Sequence, residues 1–143
     1  RMPDSVRTHP DRVGYLFPNF REEEKRYYKK YRIHPIMHTV VIRKDAVTEN
    51  KWIVQSLFKA FLAAKDWAQE AMYFSGAQKY MLPWLFDDLR EIDEIFDGNP
   101  WPYGIEENRP TLEAFVRYMH QQHFIPELLS VDDLFAPIHG RLD

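Results

Sequence analysis

The stretch Ile36–Arg43, IMHTVVIR, decides how the rest of the chain is read. Val, Ile and Thr favour a pleated, half-buried surface, and Pro35 blocks a helix from running in. In an extended segment Ile36, His38, Val40 and Ile42 share one face, while Met37, Thr39 and Val41 fill the other. Both faces are then mostly apolar, the pattern of a central strand covered by helices on both sides. The expectation is an α/β fold, mostly helical, with one strong central strand. One strand is no sheet, so its partners must come from a weaker segment or from chain beyond these 143 residues.

Helical patterns lie on either side. Upstream, FREEEKRYYKKY (Phe20–Tyr31) has acids early and bases late, the order that suits a helix dipole, and sets Phe20, Tyr27, Tyr28 and Tyr31 on one side. Residues 1–19 hold Pro3, Pro10 and Pro18 with little periodicity, which predicts an extended lead-in. Downstream, Val54, Leu57, Phe58, Phe61, Leu62, Trp67, Ala68, Ala71 and Met72 recur at helical steps from about residue 51 to 74. That stripe is wide, so burial on more than one side is expected. A further helix is predicted over about 82–96, with Leu85, Leu89, Ile92 and Phe96 inward. Another opens at Pro110, where a first turn accepts proline, and carries Leu112, Phe115, Val116 and Met119; a short last one covers 131–135. With no internal repeat, residues 1–143 read as a single domain.

Composition narrows the function classes. A net charge of −3, from 19 bases and 22 acids, gives no long-range field that would favour nucleic acid or an anionic membrane. The absence of cysteine removes disulfides, thiolate nucleophiles and cysteine-bound zinc. No apolar run is long enough to span a membrane, and the first residues, RMPDSVRTHP, carry no apolar signal segment. Aromatics at 15% predict a core built around rings.

Candidate chemistry gathers in WPYGIEENR, Trp101–Arg109. Two large aromatics, a Pro, a Gly and an Arg between two helical patterns either pack against the body or form the wall of a ligand pocket. Trp101 and Tyr103 can flank an aromatic ring, and Tyr103 can donate to an oxygen. Asn108 and Arg109 open a helix, whose N-terminus offers unpaired N–H donors, and an arginine fork suits a carboxylate. The plainer alternative is that Asn108 caps the helix and Arg109 pairs with Glu106 or Glu107. His38 on the strand is either a buried histidine bonded to backbone or a site residue. His34 stands about 13 Å away from it along a strand, too far to share one metal ion. His120 and His123 have helical spacing but no third ligand, and the pairs Asp87/Asp88 and Asp132/Asp133 read as solvated or capping groups. No metal site is expected.

Four segments together, HPIMHTVVIRKD (His34–Asp45), LPWLFDDL (Leu82–Leu89), WPYGIEENRPTLEAFVRYM (Trp101–Met119) and LLSVDDLFAP (Leu128–Pro137), resemble the C-terminal part of the 4,5-dihydroxyphthalate decarboxylase family. The resemblance implies the C-terminal portion of a larger, bilobed, type II periplasmic-binding-protein-like fold. In that setting Ile36–Arg43 crosses between lobes and joins a sheet. It implies a lyase that removes CO₂ from a hydroxylated aromatic diacid without an organic cofactor, with His38 catalytic and Trp101, Tyr103, Asn108 and Arg109 binding substrate. The expected partner is a small aromatic acid, and the expected compartment is the cytoplasm. The alternative is a periplasmic solute-binding protein that captures such an acid without turning it over. Uncovered apolar faces and strand edges also predict self-association.

Overall fold

The computed structural model describes residues 3–77 and 79–138. The chain divides into two compact units, Arg1–Ile33 and His34–Asp143. The first contains α1 (Asp4–Thr8) and α2 (Phe20–Tyr31). Helix α2 is laced by i,i+3 ion pairs, Lys25 to Glu22 at 2.6 Å and Arg26 to Glu23, and the rings of Tyr27 and Tyr31 meet at 4.9 Å. It ends at Arg32, whose backbone is left-handed (φ 55°) and whose N–H donates to the Tyr28 carbonyl at 2.8 Å. The lead-in therefore carries a short helix behind Pro3, where the prolines alone predicted extended chain.

The second unit holds α3 (Lys44–Glu49), α4 (Ile53–Tyr73), α5 (Leu85–Phe96), α6 (Arg109–Gln121) and α7 (Val131–Leu134). The long helices fall where the apolar spacing put them, and Pro110 sits in the first turn of α6. Leu85 and Leu89 of α5, Ala114 and Val116 of α6, Val131 of α7 and, in the loop after α5, Pro100 are the buried apolar side chains among the described residues. Helix α5 ends in two left-handed residues, Asp97 and Gly98, which turn the chain sharply into the loop that follows.

The α/β expectation is overturned. The described residues contain helices and no strand, and Ile36–Arg43 has no regular structure. Among the described residues no backbone hydrogen bond joins 36–42 to another segment, and Val40 and Val41 are 65% and 88% exposed. The physical reason is that β-propensity measures fit to a half-buried pleated surface, and this unit offers the segment no second strand to supply one. Neither the central strand nor the periplasmic-binding-protein-like sheet that the resemblance implied is present among the described residues. The wide stripe on α4 was also over-read: none of its residues is buried, and Phe61 and Trp67 face solvent.

Candidate functional site

The loop between α5 and α6 is the junction of the second unit. Its path is set first by Gly104, whose φ of +103° is strained for any side-chain-bearing residue. It is then pinned from inside by Asn108. That side chain makes no cap bond to α6; instead its Nδ2 donates to the carbonyls of Pro102 at 2.7 Å and Gly104 at 2.8 Å. Both acceptors are main-chain oxygens, so the amide's two N–H donors are both used.

A second pin comes from α4. The Lys65 ammonium donates to Asn99 Oδ1 at 2.9 Å and to the Trp101 carbonyl at 3.3 Å, and stands 5.1 Å from the centre of the Tyr103 ring. Phe58, two turns earlier on α4, meets Tyr103 edge-on at 6.4 Å. On the loop's other side His34 packs edge-on against Phe96 at 5.0 Å and lies 6.5 Å from Trp101. The His34 backbone N–H donates to Thr111 Oγ of α6 at 3.2 Å. The loop thus joins α4, α5, α6 and the segment beginning at His34, while Trp101 and Tyr103 each keep an exposed face.

Arg109 closes the junction toward α7. Its guanidinium forks onto Glu106, with Nη2 to Oε1 at 2.7 Å and Nε to Oε2 at 3.2 Å, and onto Asp132, with Nη2 to Oδ1 at 2.8 Å. Hydrogen bonds from Arg109 hold the carboxyls of Glu106 and Asp132 below their ordinary range, and those same bonds push the guanidinium up. A ligand carboxylate reaches this arginine by displacing one that is already there. At the far end of α4, Tyr73 donates to Asp93 of α5 at 2.5 Å. That hydrogen bond, with burial and the Asp93 charge behind it, raises the Tyr73 hydroxyl to about 12.

The sequence-derived candidates are therefore unevenly assembled. Trp101, Tyr103, Asn108 and Arg109 lie in one pinned loop and the start of its helix. His38 is exposed in the irregular segment and makes no hydrogen bond or ion pair among the described residues. Of the other junction residues, sequence reading placed Phe58 in the apolar stripe of α4, weighed His34 as a metal ligand alone, and passed over Lys65. Lys65 reaches across 34 positions to Asn99, which no local spacing reveals. Among the described residues no group of three or more His, Asp or Glu is placed to hold a metal ion. None of the helices there is long and apolar enough to cross a membrane.

Fold and junction together define a helical chain with an aromatic, cation-bearing loop. No family model matches it. A 4,5-dihydroxyphthalate decarboxylase from Comamonas testosteroni is 30% identical over 131 residues, covering 92% of this chain. The chain spans 39% of the length of that relative. The relationship to the 4,5-dihydroxyphthalate decarboxylases is thus distant and partial. A match of 131 residues leaves few outside it at either end, so the Trp101–Arg109 loop falls within the matched stretch.

Proposed function

We propose that this chain supplies part of the machinery for decarboxylating a hydroxylated aromatic diacid, 4,5-dihydroxyphthalate or a related acid. The observation that carries the reading is the similarity to the Comamonas decarboxylase along 92% of the chain. The chemistry asks for little beyond positioned side chains. A hydroxyl para to the departing carboxylate pushes electrons into the ring, the ring carbon bearing that carboxylate takes a proton, and the dienone-like intermediate expels CO₂ as the ring regains aromaticity. From 4,5-dihydroxyphthalate the product is protocatechuate.

In this reading Trp101 and Tyr103 form the aromatic wall, and the Tyr103 hydroxyl bonds a substrate oxygen. Asn108 holds the loop in shape, and Arg109 takes a carboxylate in exchange for Asp132 or Glu106. His38 acts as acid or base at the ring. The exposed Met37, Val40 and Val41 support the further proposal that copies of the chain associate, against which a monodisperse monomer in sedimentation would count.

The test is CO₂ release from 4,5-dihydroxyphthalate. Turnover, reduced by Tyr103→Phe and abolished by His38→Gln, is the expected result. Unchanged turnover in the His38 variant would sink its catalytic role. Saturable binding of the acid with no CO₂ released would move the reading to a protein that captures aromatic acids.

A further inference from the structure

An aromatic diacid has two carboxylates, and beyond the one that Arg109 takes by exchange the other calls for a cation whose charge is not already spent. The open groove beside Asp66, Glu70, Tyr73 and Gly98 carries two carboxylates and repels a dianion. On α2, Lys25 and Arg26 are paired with Glu22 and Glu23. At the junction itself Arg109 is held by Glu106 and Asp132. Lys65 differs from all of these. Its two hydrogen bonds go to neutral oxygens, Asn99 Oδ1 and the Trp101 carbonyl, and it makes no ion pair among the described residues.

An ammonium has three donors, and those two bonds leave one over. The group is part-buried, where a charge interaction is screened less than at the surface. It stands over the Tyr103 ring, 5.1 Å from its centre, and Trp101 and Tyr103 are 54% and 42% exposed. A cation anchored by neutral acceptors among partly exposed aromatic side chains offers the charge and the apolar surface that an aromatic carboxylate needs.

We infer that Lys65 of α4 is a second carboxylate-binding residue at this loop, beside Arg109: its remaining donor takes a carboxylate of an aromatic acid whose ring packs on the exposed aromatic side chains there. The inference rests on the aromatic-acid reading above and names a second group that recognises the acid.

The test measures binding of phthalate and of catechol, which offers a ring and hydroxyls without a carboxylate, to the unmodified chain and to Lys65→Gln and Lys65→Arg. Glutamine keeps a donor for Asn99 and Trp101 but removes the charge. The expected result is a loss of about tenfold or more for phthalate in Lys65→Gln, catechol binding unchanged, and phthalate binding largely restored in Lys65→Arg. Equal weakening of both ligands would mean that Lys65 only shapes the loop, and would overturn the inference. Phthalate binding unchanged in Lys65→Gln would overturn it too, while leaving the aromatic-acid reading standing. Failure of the unmodified chain to bind phthalate would remove both. Should Lys65→Gln fail to fold, ¹³C resonances of the Lys65 ε-methylene in the unmodified chain decide the matter: they shift with phthalate and not with catechol, and their staying fixed with phthalate overturns the inference.

Discussion

Two neighbouring regions of the second unit contrast sharply. Ile36–Arg43 has the stronger apolar pattern, yet it lies without regular structure and with its valines in solvent. The loop Asp97–Asn108 has the weaker pattern, with two left-handed residues and a glycine where a side chain would be strained, yet its path is fixed by Asn108, Lys65 and the rings around it. Apolar character orders a segment only when a complementary surface exists to bury it, whereas a polar side chain aimed at main-chain carbonyls orders a loop one bond at a time.

The most severe way to probe that contrast is at the small core beneath the loop. Leu89→Ala removes a side chain that is only 4% exposed and is expected to cost about 2–5 kcal/mol in urea unfolding. A loss below that range would mean that the polar pins, and not the core, hold this region. Next comes Asn108→Ala, which leaves the Pro102 and Gly104 carbonyls without their donor. Its expected cost is about 1–3 kcal/mol, with faster hydrogen exchange confined to residues 101–108. Exchange that speeds up evenly across the unit would show the loop is not a separate element.

A smaller effect is local and depends on pH. Glu106 and Asp132 have carboxyls depressed by Arg109 in the folded chain. Depressed folded values mean that the ion pairs stabilise fully above the unfolded values, about 3.9 for Asp and about 4.3 for Glu, and fade as pH falls through the lower folded ones. Helix α7 should therefore loosen below about pH 4, seen as broadening of the Val131 methyl resonances, and Arg109→Met should abolish that pH dependence. The smallest effect is expected at Val41→Ser in dilute, unassociated chain, within about 0.5 kcal/mol, because no other part of the chain covers the side chain. A large destabilisation there would erase the contrast, since it would require Val41 to be covered by the chain itself.

How much of this was legible in the sequence follows from range. Helices α5 and α6 were readable because Leu85 and Leu89, or Val116 and its neighbours, repeat at a period that one element satisfies by itself, and α2 because its acids precede its bases. Short α3 was missed because KDAVTE offers one turn and a half with no apolar stripe. The strand was misread because Val40 and Val41 carry a preference that only a second strand can fulfil. At the junction the aromatics of WPYG and the Arg109–Glu106 pair were visible locally. Lys65 was not, because its partners are set by how α4 approaches the loop. The plainer alternative for Asn108 does not hold: its position fits a helix cap, but its amide turns back to the loop.

The way the loop is held has a consequence for engineering. Asn108 grips the carbonyls of Pro102 and Gly104, and Lys65 grips that of Trp101, so these fastenings attach to the main chain and ignore which side chains it bears. Positions 101 and 103 are therefore the natural places for a combinatorial library. Substitutions there vary the chemistry displayed on the rim and give up the ring contacts with His34, Phe58 and Lys65, while the main-chain fastenings remain.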